Sequence, residues 1–103
     1  MDTKLALKKA KRLMSRHPNN IPVIIITDMK MNIVHFLPSK TSSLGEFMTC
    51  VRDYTSLKSS EALLVFIEDI MPPLTATMGD LYIQYATPDG YLHVKLSKEN
   101  TFG

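Results

Sequence analysis

The chain has 103 residues, 45% hydrophobic and 21% charged, enough for one hydrophobic core and too few for two. A formal net charge of +2 is too small to mark a nucleic-acid binder, and it is unevenly placed: Lys4, Lys8, Lys9, Lys11, Arg12 and Arg16 face only Asp2 within the first sixteen residues. A single cysteine, Cys50, excludes an internal disulfide, and no apolar run nears the roughly 18 residues of a membrane-spanning helix. The N-terminus lacks the apolar block of a signal peptide, so a cytosolic or nuclear location is expected.

Taken in order, the chain first predicts a helix over about residues 3–17. Ala6, Leu7, Ala10, Leu13 and Met14 recur at helical spacing, Asp2 or Thr3 supplies the N-cap, and Pro18 ends the element. Its basic side is either a surface for acidic partners or anionic membrane, or a solvated outer face. The small contribution of each exposed charge favours the second. Ile21 to Thr27 then reads as a β-branched strand, Asp28 to Asn32 as a turn and Ile33 to Leu37 as a second strand stopped by Pro38.

Ser43 and Glu46 have capping-box spacing and open the main helix. Leu44, Phe47, Cys50 or Val51, Tyr54 and Leu57 form the stripe expected to cross the sheet. Leu63 to Ile67 is continuously apolar, as in a strand buried on both faces, and is expected to be the central strand. Pro72 and Pro73 are expected to take the chain out of the sheet. Thr75 or Thr77 then caps a short helix that packs Met78, Leu81, Tyr82 and Tyr85 onto the strand just left. Pro88-Asp89-Gly90 turns into a last strand, Tyr91 to Leu96, and Ser97 to Gly103 is a polar tail.

No enzymatic constellation emerges. His17, His35 and His93 lack ligand partners at metal-site spacing, and Cys50 falls on the predicted buried face of a helix as core filler. Glu68, Asp69 and Asp80 read as a solvated acidic rim, and Gly45, Gly79, Gly90 and Gly103 are too scattered for a phosphate loop. The expectation is a protein with no catalytic residues, metal or cofactor. The strand from Ile33 to Leu37, lying between a turn and a proline, is expected at the sheet edge, where an extended peptide could add as a further strand.

The run Asp69-Ile-Met-Pro-Pro-Leu-Thr-Ala-Thr-Met-Gly-Asp-Leu-Tyr, with Asp89-Gly-Tyr-Leu and the terminal Glu99-Asn-Thr-Phe-Gly, carries a resemblance. From about Lys8 onward the chain resembles the autophagy ubiquitin-like modifiers of the light-chain-3 and GABA-receptor-associated-protein type. The element order agrees: helix, two strands, helix, strand, short helix, strand. The expected fold is therefore α+β, a ubiquitin-like β-grasp with a mixed four-stranded sheet, a crossing helix, a short second helix and one N-terminal helix, forming one domain over residues 1–103. A right-handed crossover is compatible with it.

The resemblance implies function as well. Gly103 would be joined to the amine of phosphatidylethanolamine by dedicated activating and conjugating enzymes, with Phe102 at the family's aromatic position before the glycine. A glycine suits the narrow channels through which such a tail is threaded, since it has no Cβ to clash. Family precursors carry residues beyond the glycine that a cysteine protease removes, so the chain is expected either ready for conjugation or already processed. The implied location is the cytoplasm and, once lipidated, the autophagosome membrane. Two pockets for receptor or adaptor peptides of the W-x-x-L type are also implied. The first would use Leu13, Pro22, Ile24, Phe36 and Tyr91. The second would use His35, Leu37, Pro38, Leu44, Phe47 and Cys50. Several of these, Ile24, Leu44 and Phe47 above all, read equally well as core.

The chain departs from the family in having room for one helix instead of two before the first strand, and in a shorter turn at Asp28 to Asn32. Lys9 stands where an acid is common, and Val34 and Tyr54 where bases are common. Two other readings stay open: a ubiquitin-like peptide-binding module that is never conjugated, and a modifier joined to protein lysines.

Overall fold

The computed structural model describes residues 2–27, 33–55 and 63–98. The expected turn at Asp28 to Asn32, the stripe residue Leu57, and Phe102 and Gly103 lie outside the described residues. Helix α1 spans Thr3–Arg16, with the Asp2 carboxylate accepting from the Lys4 N–H at 3.0 Å as N-cap. Ala6 and Ala10 are buried and Leu13 is half-buried, so a narrow stripe of small residues lets the helix axis come close to the sheet. All six cations of this segment are exposed.

The four strands, β1 (Val23–Thr27), β2 (Ile33–Phe36), β3 (Leu63–Phe66) and β4 (Leu92–Lys98), stand in the order β2-β1-β4-β3. β1 and β4 run parallel at the centre, with Val23 opposite Leu92 and Thr27 opposite Leu96; β2 and β3 pair antiparallel at the two edges. This is the expected ubiquitin-like β-grasp. The Leu63 strand, however, is an edge strand, not the central one. A continuous apolar run records burial above and below a strand and carries nothing about its lateral neighbours. Here Val65 is buried while Leu63, Leu64 and Phe66 are half-buried. The chain also leaves the sheet earlier than Pro72: Ile67 and Ile70 exchange backbone hydrogen bonds across a tight turn, with Glu68 and Asp69 at φ of 50° and 65°.

Helix α2, Leu44–Thr55, crosses the inner face of the sheet. Its capping box is complete: the Ser43 N–H donates to Glu46 Oε1 at 3.0 Å and the Glu46 N–H to Ser43 Oγ at 3.1 Å. Hydrogen bonds to its carboxylate from the Ser43 N–H first, and then from the Ser43 side chain, hold the Glu46 carboxyl below its usual range. Leu44, Phe47, Met48 and Val51 are buried, but Cys50 and Tyr54 are exposed, against the expectation that they share the core stripe. At 100° per residue the buried sector is centred on Leu44, Met48 and Val51, and it leaves Cys50 about a quarter-turn outside.

Helix α3, Met78–Tyr85, is capped by Thr77, whose hydroxyl accepts from the Asp80 N–H at 3.2 Å; Thr75 is exposed. Met78 and Leu81 complete the inner core. The starts of α2 and α3 are laced by backbone bonds, Leu44 N–H to Ala76 O at 2.8 Å and Met78 N–H to Ser42 O at 2.8 Å. A smaller outer core of Ala6, Ala10, Ile24 and Tyr91, with Leu13 against it, lies between α1 and the other sheet face.

The turn entering β4 sets the α1 contact. Gly90 has φ +84°, and a Cβ there would lie 2.7 Å from the Ala10 Cβ, so both backbone and space require glycine. Asp89 Oδ1 accepts from the Thr87 hydroxyl and from the Tyr91 N–H at 3.0 Å, while Oδ2 meets His93 Nε2 at 2.8 Å. Burial acts to raise the Asp89 pKa, but these bonds outweigh it, and the net effect is a carboxyl below its usual 3.8. The Tyr82 hydroxyl donates to Gly90 O at 2.8 Å; burial, then the Asp89 charge, pushes its pKa up.

Gly90→Ala is expected to destabilise the fold by about 1–2 kcal/mol from the left-handed backbone alone, and by more once Ala10 must yield; a urea midpoint unchanged from the parent contradicts this. Because the folded pKa of Asp89 is depressed, its contribution is present above the ordinary carboxylate pKa and is lost as pH falls through the lower, folded value. Asp89→Asn is therefore expected to cost stability at pH 7 and to flatten the acid limb below about pH 4, read from urea midpoints across pH.

Candidate functional site

On its free side β2 has no strand partner among the described residues, so its backbone groups there are available to an added strand. Alternate side chains point to opposite faces, and the register with β1 settles which residue goes where. His35 sits opposite Ile24 and turns to the α1 face, where its ring meets Tyr91 edge-on at 5.8 Å and 85°. Phe36 sits opposite Val23 and turns to the α2 face, meeting Phe47 edge-on at 5.6 Å and Tyr54 at 5.3 Å.

This reverses the expected sharing of these two residues. Phe36 is expected from the sequence beside Leu13 and Tyr91, and His35 beside Phe47; the structure exchanges them. A shift of one residue along a strand swaps the two faces, and strand composition alone does not set that parity.

On the α1 face, Pro22, Ile24 and Tyr91 are buried and form a floor, with Leu13 half-buried and His35 exposed above it. On the α2 face there is an open cavity of about 520 Å³. Phe36, Leu37 and Pro38 form its β2 wall, and Phe47, Thr49 and Cys50 its α2 wall. Ser39, Ser42 and Glu46 close its end. Leu44, expected there, is fully buried and does not line it. Cys50, read from the sequence as core filler, is an exposed lining residue.

Sequence reasoning did not find Glu46, Thr49, Ser39 and Ser42 as lining residues. Glu46, Thr49 and Cys50 fall at i, i+3 and i+4 on one helix stripe, a pattern visible once the buried stripe is placed correctly. The β2 wall is fixed from behind: the Ile21 N–H donates to Pro38 O at 3.0 Å and Asn20 Nδ2 to Leu37 O at 3.0 Å. The site is thus a backbone edge flanked by an apolar shelf on one face and an apolar cavity on the other. Among the described residues no cluster of three His, Cys, Asp or Glu side chains could hold a metal ion, and no helix is long and apolar enough to cross a membrane.

Comparison with known proteins agrees with this geometry. The family model described as autophagy protein Atg8, ubiquitin-like, matches residues 6–103. Autophagy-related protein 8 of Schizosaccharomyces pombe is 31% identical over 100 residues, spanning 92% of this chain and 83% of that protein. The crystal structure of Trypanosoma brucei ATG8 superposes with a TM-score of 0.89 at 29% identity, covering 100% of this chain and 93% of that one. Plasmodium falciparum Atg8, solved with an Atg3 peptide from the same organism, shares the fold with a TM-score of 0.82 at 24% identity, covering 99% and 94%. A mixed sheet crossed by α2, a short capped α3 and a family match running to the last residue lead to one assignment: the chain belongs to the Atg8 family of autophagy ubiquitin-like proteins.

Proposed function

We propose that the chain is a modifier carried by other enzymes, joined through the carboxyl group of Gly103 to phosphatidylethanolamine, and read at the β2 edge by receptor peptides. The observation that carries this reading is the family match, which extends through residue 103 and so includes the Phe102-Gly103 terminus. Conjugation of this kind needs an activating enzyme that adenylates the carboxylate and a conjugating enzyme that receives it on a thiol. The Atg3 peptide bound to the Plasmodium falciparum relative supports a conjugating enzyme as partner. A processing cysteine protease acts wherever residues follow the glycine. The protein is then cytoplasmic until lipidation attaches it to the autophagosome membrane.

The β2 edge supports the second half of the reading. In an extended peptide, side chains three positions apart point to opposite faces. A W-x-x-L peptide added to β2 therefore sends one anchor to the Leu13 and His35 side and the other into the Phe36–Phe47 cavity. Two buried anchors contribute roughly 3–6 kcal/mol. Four edge hydrogen bonds add about 0.5–1.5 kcal/mol each, offset by an association cost of about 4 kcal/mol or more. Micromolar binding or weaker follows.

Gly103→Ala is expected to abolish ATP-dependent attachment to phosphatidylethanolamine liposomes in a reconstituted reaction, with undiminished lipidation refuting the role of the glycine. If the parent chain instead appears on protein lysines, or only as free polypeptide, product mass will show it. Cys50→Trp fills the cavity from an exposed position and is expected to weaken W-x-x-L peptides at least about tenfold, the loss of most of one anchor, without lowering Tm. Equal affinity by calorimetry would remove the cavity from the site.

A further inference from the structure

The α2 wall of the groove is acidic. Glu46 is the one charged residue among those lining the cavity, and Asp53 is exposed further along the same helix. Glu46, Thr49, Cys50 and Asp53 fall at i, i+3, i+4 and i+7, a single stripe of α2; the first three line the cavity, and Asp53 lies further along the helix, outside its lining. Tyr54, 64% exposed, is held edge-on against Phe36, a residue of the cavity's β2 wall. An exposed aromatic ring attracts a cation through its quadrupole.

The cations of both helices that border β2 are directed elsewhere. The basic residues of α1 lie over the opposite face of the sheet, around the outer core. Arg52 turns to the far side of α2, where it lines a separate small cavity with Leu63 and Leu74. No lysine or arginine among the described residues lines the groove cavity itself.

We infer that this groove selects peptides carrying lysine or arginine two positions before or after the aliphatic anchor, with Glu46 as the specificity-determining carboxylate and Tyr54 offering its exposed ring to the cation. The spacing follows from strand geometry: residues two apart share a face, so the neighbours of the anchor at those positions project toward α2. The occupant is thus an extended partner peptide whose aliphatic anchor is flanked by positive charge, while a peptide acidic at those positions is repelled. This rests on the peptide-binding reading of the β2 edge and adds its charge preference.

The test is calorimetry on the full chain with three W-x-x-L peptides differing only at the positions two before and two after the leucine: lysine, glutamine or glutamate. The lysine peptide is expected to bind about threefold to tenfold tighter than the glutamate one, as for exposed pairs, with the gap shrinking in high salt. Glu46→Gln is expected to close the gap; the amide oxygen of the substituted side chain still accepts the Ser43 N–H, so the helix cap survives. Binding of all three peptides with no difference, or with glutamate preferred, overturns the charge preference and leaves the groove standing. No binding of any peptide at millimolar concentration overturns the groove, and this inference with it.

Discussion

The parallel pairing of β1 with β4 organises this molecule. Val23 to Thr27 against Leu92 to Leu96 joins an early segment of the chain to a late one, and it places two strands rich in β-branched residues and leucine side by side in the middle of the sheet. Such a pair has to be covered on both faces. Val23, Ile25, Leu92, Val94 and Leu96 face α2 and α3, while Ile24 and the preceding Tyr91 face α1. The close approach of α1 depends on Ala6 and Ala10, and on Gly90, which passes beneath Ala10 where a larger residue would collide.

With the centre occupied by β1 and β4, the other two strands are left at the edges, and the functional surface follows from that. β2 pairs with β1 on one side and is open to an added strand on the other, and it is bordered by different helices above and below. Its two faces therefore differ in chemistry. The α1 face is a shelf over a small, tight core beneath a basic helix; the α2 face is a cavity with aromatic walls and a carboxylate at its mouth. A ligand strand that alternates its side chains meets both at once, which is why anchors at odd spacing fit an edge of this kind.

The charge distribution has a local origin but a tertiary meaning. The cations of α1 are the polar side of an amphipathic helix, and Glu46 is in place first as half of a capping box. The folding of β2 between these helices turns two solvated faces into opposite electrostatic borders of one groove. Asp89 is the counterpart on the structural side: its bonds to Thr87, Tyr91 and His93 rigidify the turn from which Tyr91 enters the outer core.

Local chemistry was legible in the residues. The Asp2 cap of α1, the Ser43–Glu46 box, the Thr77 cap and the Pro88–Gly90 turn each rest on groups within about four positions of one another, so composition and spacing are sufficient to reveal them. The family motif around Met71-Pro72-Pro73 and Met78-Gly79-Asp80 was likewise readable without coordinates. Other features belong to contacts between distant segments: the lateral place of Leu63 to Phe66, the exchange of His35 and Phe36 between faces, and the exposure of Cys50 and Tyr54. An apolar run is the same at a centre or an edge, and strand parity flips with one step of register. A helix stripe is centred only once the surface it packs on is in place. Those three degrees of freedom are long-range, so they are decided by the pairing of β2 with β1, the pairing of β3 with β4 and the seating of α2 across the sheet.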